Sequence, residues 1–412
     1  MLTWVALIVL TGVWGAELAA RDPGIRLEAA PLFGRLDPMV SLWVLPSVAL
    51  GAAALVLLPY LDRIRWRTLL GVTALLAMAW PIALALTDGG GGLTTGLESR
   101  HDYLNAVPGI GSLGDFWRSF SERIADYPVH VQGHPPGMPT FLALLAGVGL
   151  GGSGWATAAV LSVAALAPIA VLISVRALGG ETFARKAAPF LALSPAAIWI
   201  ATSADAFFAG VGAWAVACLI LASTGAKRRQ VLAFAGGLLI ATAILLSYGL
   251  VLLAAVVAPI VLARRAWGVV AVSVTTASAV LVLVAVVTDF NIIEGAAATR
   301  ERYLMGVSAS RPYSYFVIAN LAAFAVVLGP AFFASVRNVP HPLMPLVAGA
   351  ASAILLADLS GMSKGEVERI WLPFAPWLLW ACAAGVRWNR RTLLAVQILT
   401  AVTVELLVVT PW

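Results

Sequence analysis

Three of the four histidines, His101, His130 and His134, fall in the single stretch 88–136, together with Glu98, Asp102, Asp115, Glu122 and Asp126. Asp102 sits in ESRHDYLNAVP, between a run of glycines and Pro108, on no obvious amphipathic face. A carboxylate so placed can take a proton from a hydroxyl, or it can simply cap a turn. His130 and His134 are four apart, a metal-ligand spacing on a helix, but Gly133, Pro135 and Pro136 interrupt any helix there. The Pro135–Pro136 pair instead holds His134 at a rigid bend, where it could meet a phosphate or a sugar hydroxyl.

Three other places carry polar chemistry between apolar runs. Asp205, in SPAAIWIATSADAFFAG, marks the junction of two such runs. A carboxylate there is costly to bury unpaired, and it can also cap the following helix alongside Ser203. The segment 289–313 holds Glu294, Arg300, Glu301, Arg302, Arg311 and Tyr313, with guanidinium forks suited to phosphate oxygens. The segment 359–369 ends in Lys364, Glu366, Glu368 and Arg369, just before an apolar run that begins beside Trp371. Arg369 is placed to meet a phosphate at headgroup depth; interfacial anchoring is the plainer role for the same residues.

The elements that must position these groups are membrane helices. Of the 412 residues, 61% are hydrophobic and 11% charged, and the mean hydropathy is +0.94. A soluble chain of this size could not cover its surface with so few charges. That excludes a soluble enzyme, a disordered scaffold and a nucleic-acid binder, despite a net charge of +6. Apolar runs predict thirteen spans: 2–20, 39–60, 67–87, 155–176, 187–202, 206–223, 231–246, 248–263, 267–288, 314–336, 342–358, 370–386 and 392–409. The fold class expected is all-α, a single integral membrane domain over 1–412, with an N-terminal helical pair in 1–66 and a long loop with juxtamembrane helices over 88–150. The stretch 137–150 is too short to span and reads as re-entrant or interfacial.

With the N-terminus cytoplasmic, the six inner loops hold fifteen of the 26 Lys and Arg residues and only two acids, Asp62 and Glu181. Every chemically interesting segment then falls on the outer face, as does the C-terminus. The first span reads as an uncleaved signal-anchor, because no basic region precedes it. Phe116, Phe120 and Ile124, at helical spacing, predict an amphipathic helix on the membrane surface, with Asp115, Glu122 and Asp126 on its solvated side. Cys218 and Cys382 both lie in apolar runs and make neither a disulfide framework nor a metal site.

In its order of parts the chain resembles the GT-C superfamily of membrane glycosyltransferases, which use polyprenyl-phosphate-linked sugars, and looks most like its actinobacterial members. The resemblance rests on Asp102 in HDYLNAVP, His134-Pro135-Pro136-Gly137, the RALGGETFARK segment, Asp205 in SADAFF, Tyr248 in LSYGL, and GEVERIW at 365–371, spread over roughly residues 67–390. It implies an acceptor-activating base at Asp102, with Glu98 as the fallback, taken to lie one helical turn earlier. It implies substrate contacts from His134, Asp205, Tyr248 and Glu368, and donor-phosphate binding by Arg369 with Lys364, or more weakly by Arg300 and Arg302. The implied donor is a polyprenyl-phosphate sugar, mannose or arabinose among the candidates, in the bilayer of the plasma membrane. The implied acceptor is a hydroxyl of a glycan, glycolipid or protein of the cell envelope, and nucleic acid has no part. In some members the second external acid helps hold a divalent metal. Asp205 has no neighbouring acid, so no metal ligand is assigned. Two spans precede the usual first one.

A transporter or flippase for a lipid-linked sugar would also explain spans and an outer polar cavity. It calls for charges near the midplane or paired broken helices, whereas these spans are almost free of charge apart from Glu405. A non-catalytic scaffold leaves the clustering of acids, histidines and arginines on one face unexplained.

Overall fold

The computed structural model describes residues 2–201 and 203–410. Among them the regular structure is helical, apart from an antiparallel pairing of Arg35–Leu36 with Val408–Val409 and one isolated bridge. Among the described residues eight helices are long and apolar enough to cross a membrane: Leu2–Arg21, Leu42–Leu61, Trp66–Asp88, Ser153–Gly179, Ala204–Ser223, Arg229–Leu246, Trp267–Thr288 and His341–Leu359. A ninth is counted if Tyr313–Leu328 and Pro330–Asn338, bent by 88° at Gly329, form one span. Gln397 meets the backbone groups freed at this bend: its amide donates to the Leu328 carbonyl, and its oxygen accepts from Ala331 N.

The chain therefore does not build thirteen uniform spans. The expected span 187–202 is a helix ending at Ala192 followed by a 3-10 turn over Pro195–Trp199, and its last residue lies outside the described residues. The expected span 248–263 is an apolar element over its whole length, a 3-10 turn Tyr248–Leu252 running into a helix Leu253–Arg264. The expected span 370–386 breaks into short turns around Pro373 and Pro376, with Trp371, Trp377 and Trp380 fully buried. Irregular backbone is tolerated at membrane depth only when protein surrounds it, and these aromatic side chains are enclosed in that way. The expected span 392–409 is a helix, Arg390–Leu407, with Arg390 and Arg391 in its first turn and Glu405 near its other end. The stretch 137–150 forms only an eleven-residue helix, Gly137–Gly147, too short to cross.

Burial ranks the helices. The membrane-length window of Ala204–Ser223 is 83% buried, against 17% for Trp267–Thr288 and 11% for Leu2–Arg21, so the helix with Asp205 in its first turn is the centre of the bundle. Small residues let its neighbours approach: a Cβ at Gly210 would strike the Val163 carbonyl. The stripe Phe116, Phe120 and Ile124 is also buried, but not in lipid. The segment breaks into a helix Leu113–Arg118 and a 3-10 turn Ile124–Asp126, and its rings pack on Tyr127 and Phe290. The surface-lying amphipathic helix expected there is thus an internal contact of the protein.

The loops gather at two ends. At one end Arg390 pairs with Asp62, and Arg185 binds Glu181 and the Ile64 carbonyl. At the other end Arg311 donates to the carbonyls of Ile25 and Lys364, Thr299 donates to the Gln132 carbonyl, and the 35–36 strand meets 408–409.

Candidate active site

Four short pieces of chain converge at that second end. Asp102 caps a 3-10 run, Tyr103–Gly109, and accepts a 2.7 Å hydrogen bond from Tyr103 N. His130 lies in a one-turn helix, Val129–Gln132, held by His130 N donating to the His101 carbonyl. Asp205 occupies the first turn of Ala204–Ser223, where Ser203 Oγ accepts from Asp205 N and its hydroxyl donates to Asp205 Oδ2. Arg369 sits in the short helix Val367–Ile370, capped by Glu366 in the left-handed region at φ 63°.

These pieces form one chain of hydrogen bonds. Asp102 Oδ2 lies 3.0 Å from His130 Nδ1, and His130 Nε2 lies 3.1 Å from Arg369 Nη2. Arg369 Nη1 donates to Asp205 Oδ2 at 2.8 Å, and Nη2 donates to Glu366 Oε2 at 2.6 Å. A guanidinium can only donate, so Nε2 of His130 must accept, and Nδ1 carries the proton that reaches Asp102. The Asp205 and Arg369 side chains are only 5% and 6% exposed, so this pair is screened little by solvent.

Burial tunes the titrations. It pushes the Asp102 carboxyl up to about 7, with Arg369 opposing and Asp205 adding to the shift. It pushes His130 down to about 3, helped by the Arg369 charge, so the imidazole is neutral. For Glu366 burial works upward, but Arg369 and Arg311 outweigh it and hold the carboxylate below its usual range. Burial works against the charge of Arg369, and Glu366 and Asp205 outweigh it. A buried carboxyl that titrates near neutrality, aligned by a neutral imidazole, has the properties of a general base.

His134 stands beside this chain. Its Nδ1 lies 2.8 Å from the His130 carbonyl, which can only accept, so Nε2 is left as an acceptor. Its ring packs edge-on to Tyr103 and tilted against Phe208. The Tyr103 hydroxyl and Oε2 of Glu368 are buried without a hydrogen-bond partner among the described residues. Buried polar atoms left open in this way mark a place where a ligand can supply the missing partners. Glu368 is fully buried, its other oxygen accepts from Phe33 N at 2.8 Å, and burial pushes its carboxyl up to about 7.

Of the residues singled out from sequence, the structure brings Asp102, His134, Asp205, Glu368 and Arg369 to this end of the bundle. Glu98 is not part of the chain of bonds: it is exposed and accepts from Ser153 Oγ. Its helix stops at Glu98, so the helical spacing to Asp102 does not hold. Arg300 is exposed, Arg302 binds the Gln132 side chain, and the buried Tyr248 hydroxyl lies against Gly295 of the neighbouring helix. Lys364 donates to the Ser308 carbonyl. Sequence reasoning passed over His130 and Glu366 as site residues. A spacing of three before Arg369 was the available signal for Glu366, whereas the partner of His130 is 28 residues away. A divalent cation does not fit at Asp205, because its carboxylate is already taken up by a guanidinium. Among the described residues no three His, Cys, Asp or Glu side chains gather as ligands.

Fold and site together define an all-α, multi-pass membrane protein with a buried acid–imidazole–guanidinium chain at one end of its bundle. No protein-family model matches the chain, and no curated protein does. Among solved structures it is similar to ArnT from Cupriavidus metallidurans in the apo state, at 17% identity and a TM-score of 0.43, over 73% of this chain and 58% of that one. The chain thus spans less than two thirds of that protein, and a likeness this loose carries no argument about activity.

Proposed function

We propose that the chain is a glycosyltransferase of the GT-C type, transferring a sugar from a polyprenyl-phosphate donor to a hydroxyl acceptor at the outer face of the plasma membrane, in cell-envelope assembly. The observation that carries the reading is the continuous Asp102–His130–Arg369 chain, a base and an anion-binding group locked in one frame at the end of a membrane bundle. The resemblance drawn from Asp102, HPPG, Asp205 and GEVERIW supports the same chemistry.

In this mechanism Asp102 removes the proton of the acceptor hydroxyl, and that oxygen attacks the anomeric carbon. The bond from that carbon to the phosphate oxygen breaks, and its electron pair leaves on the polyprenyl phosphate. Arg369 compensates the charge on the leaving phosphate. A single displacement inverts the anomeric centre. His130, neutral and bonded on both sides, fixes the distance between base and guanidinium. His134 Nε2 and the Tyr103 hydroxyl offer one acceptor and one donor to the sugar.

The test is sugar transfer by the purified full-length protein in detergent, with polyprenyl-phosphate mannose and arabinose donors and an envelope glycan acceptor. Transfer that disappears in Asp102→Asn and Arg369→Gln supports the reading. Undiminished transfer by Asp102→Asn removes Asp102 as the base.

A further inference from the structure

The arginine assigned to the leaving phosphate is already occupied. Arg369 holds Asp205 through one nitrogen and Glu366 through the other. Glu366 Oε1 also lies 4.0 Å from Arg311 Nη1, so this carboxylate sits between two guanidiniums. Arg311 is itself buried, stacked over the rings of Phe33 and Phe316 and bonded to the carbonyls of Ile25 and Lys364. Asp205 and Glu366 face these two cations before any ligand arrives, Arg26 adds positive charge near Arg311, and Asp102 adds negative charge as it ionises. An incoming phosphate would have to compete with these carboxylates for the guanidinium donors.

The carboxylates differ in how firmly they are held. Asp205 is 5% exposed and is tied to Ser203 at the start of the central helix. Asp102 is 4% exposed and is tied to Tyr103 N and His130. Glu366 is 24% exposed, and among the described residues its side chain is held by the two arginines. Its backbone is left-handed at φ 63°, next to Gly365 at φ 90° and near Gly361 at φ 67°, in a segment built for unusual backbone angles. A glutamate enters that region at a cost, and leaving it is favoured once the side chain gives up its partners.

We propose that Glu366 is an internal stand-in for the ligand: a phosphate monoester binds between Arg369 and Arg311 by displacing the Glu366 carboxylate. This rests on the glycosyltransferase reading for the identity of the phosphate, and adds a gate to the site. An unliganded site keeps its two guanidiniums neutralised, and the donor must outcompete a tethered carboxylate to enter.

Equilibrium binding of farnesyl phosphate, a short polyprenyl monophosphate, to the purified full-length protein in detergent tests this. Glu366→Gln keeps the shape and removes the competing charge, and it is expected to bind the probe about tenfold more tightly than wild type, within the range of measured coupling between linked sites. Glu366→Ala is expected to shift in the same direction, and thermal melting checks that both variants fold. Binding that is unchanged or weaker in both variants overturns the gate and makes Glu366 a fixed support for Arg369. Absence of binding by wild type and both folded variants overturns the anion site as well. Tighter binding by the variants with no sugar transfer by any of the proteins leaves the gate standing and sinks the glycosyltransferase reading alone.

Discussion

The two ends of the bundle use the same charged residue types to different effect. At the basic end, Arg390 and Asp62 are 20% and 44% exposed, and Arg176 and Glu181 are 45% and 34% exposed. At the other end, Arg369 and Asp205 are 6% and 5% exposed and continue into His130 and Asp102. Exposed pairs are screened and adaptable, and contribute little to stability. Buried pairs cannot be left half made, so each partner fixes the position and the titration of the next. Net positive charge marks the first end; charge burial marks the second.

The largest effect expected from breaking this contrast is at Arg369. Arg369→Ala leaves Asp205 and Glu366 buried without a counter-charge, a loss of about 3–5 kcal/mol for one partner of a buried pair. Thermal melting in detergent should show it plainly, and sugar transfer should fall below detection. Arg390→Ala at the opposite end breaks an equally short contact, yet its expected cost is about 0–1 kcal/mol, with transfer unchanged. A cost at Arg390 as large as at Arg369 would mean that burial is not what separates the ends.

Next in size is the base. Asp102→Asn is expected to slow transfer by about 10²–10⁴-fold, the usual contribution of general base catalysis. Because burial lifts Asp102 to about 7, the active, ionised form accumulates as pH rises, and kcat/KM should climb with a midpoint near 7 and level off above it. The imidazole donates to the ionised carboxylate and favours it, so His130→Ala should move that limb to higher pH as well as lowering the rate by about tenfold. A lowered rate with an unmoved limb would make His130 a packing residue and nothing more.

How much of this could be read from sequence follows the same division. The basic loops are local and repetitive, so counting them sorts the loops by side. Asp102, His134, Asp205 and Arg369 stand out singly as polar residues in an apolar chain, each in a recognisable short motif. Their meeting is tertiary: Asp205 and Arg369 are 164 residues apart, and His130 and Arg369 are 239 apart. Glu98 misled for a local reason, because a spacing of four implies a shared face only while the helix continues, and here it stops at Glu98. Thirteen apolar runs were legible, but run length says nothing of whether lipid or protein surrounds the backbone. That is why 370–386, enclosed by its own tryptophans, could abandon the helix.

The two pairs differ both in which end they occupy and in burial, and a third pair separates the two variables. Arg118 and Asp115 lie in the same long loop as Asp102, with side chains 59% and 75% exposed and a contact of 3.0 Å. If membership of the site-bearing end mattered in itself, Arg118→Ala would disturb activity as a mild version of Arg369→Ala. If burial decides, it should behave like an ordinary exposed pair at spacing three, costing about 0.2–0.5 kcal/mol in melting and nothing in transfer. The helix Leu113–Arg118 keeps its hold through Phe116 and Trp117, whose rings are buried whatever happens to the arginine. A measurable fall in kcat/KM for Arg118→Ala, with the pH limb unmoved, would show that the long loop reaches the site through its surface as well as through its buried rings.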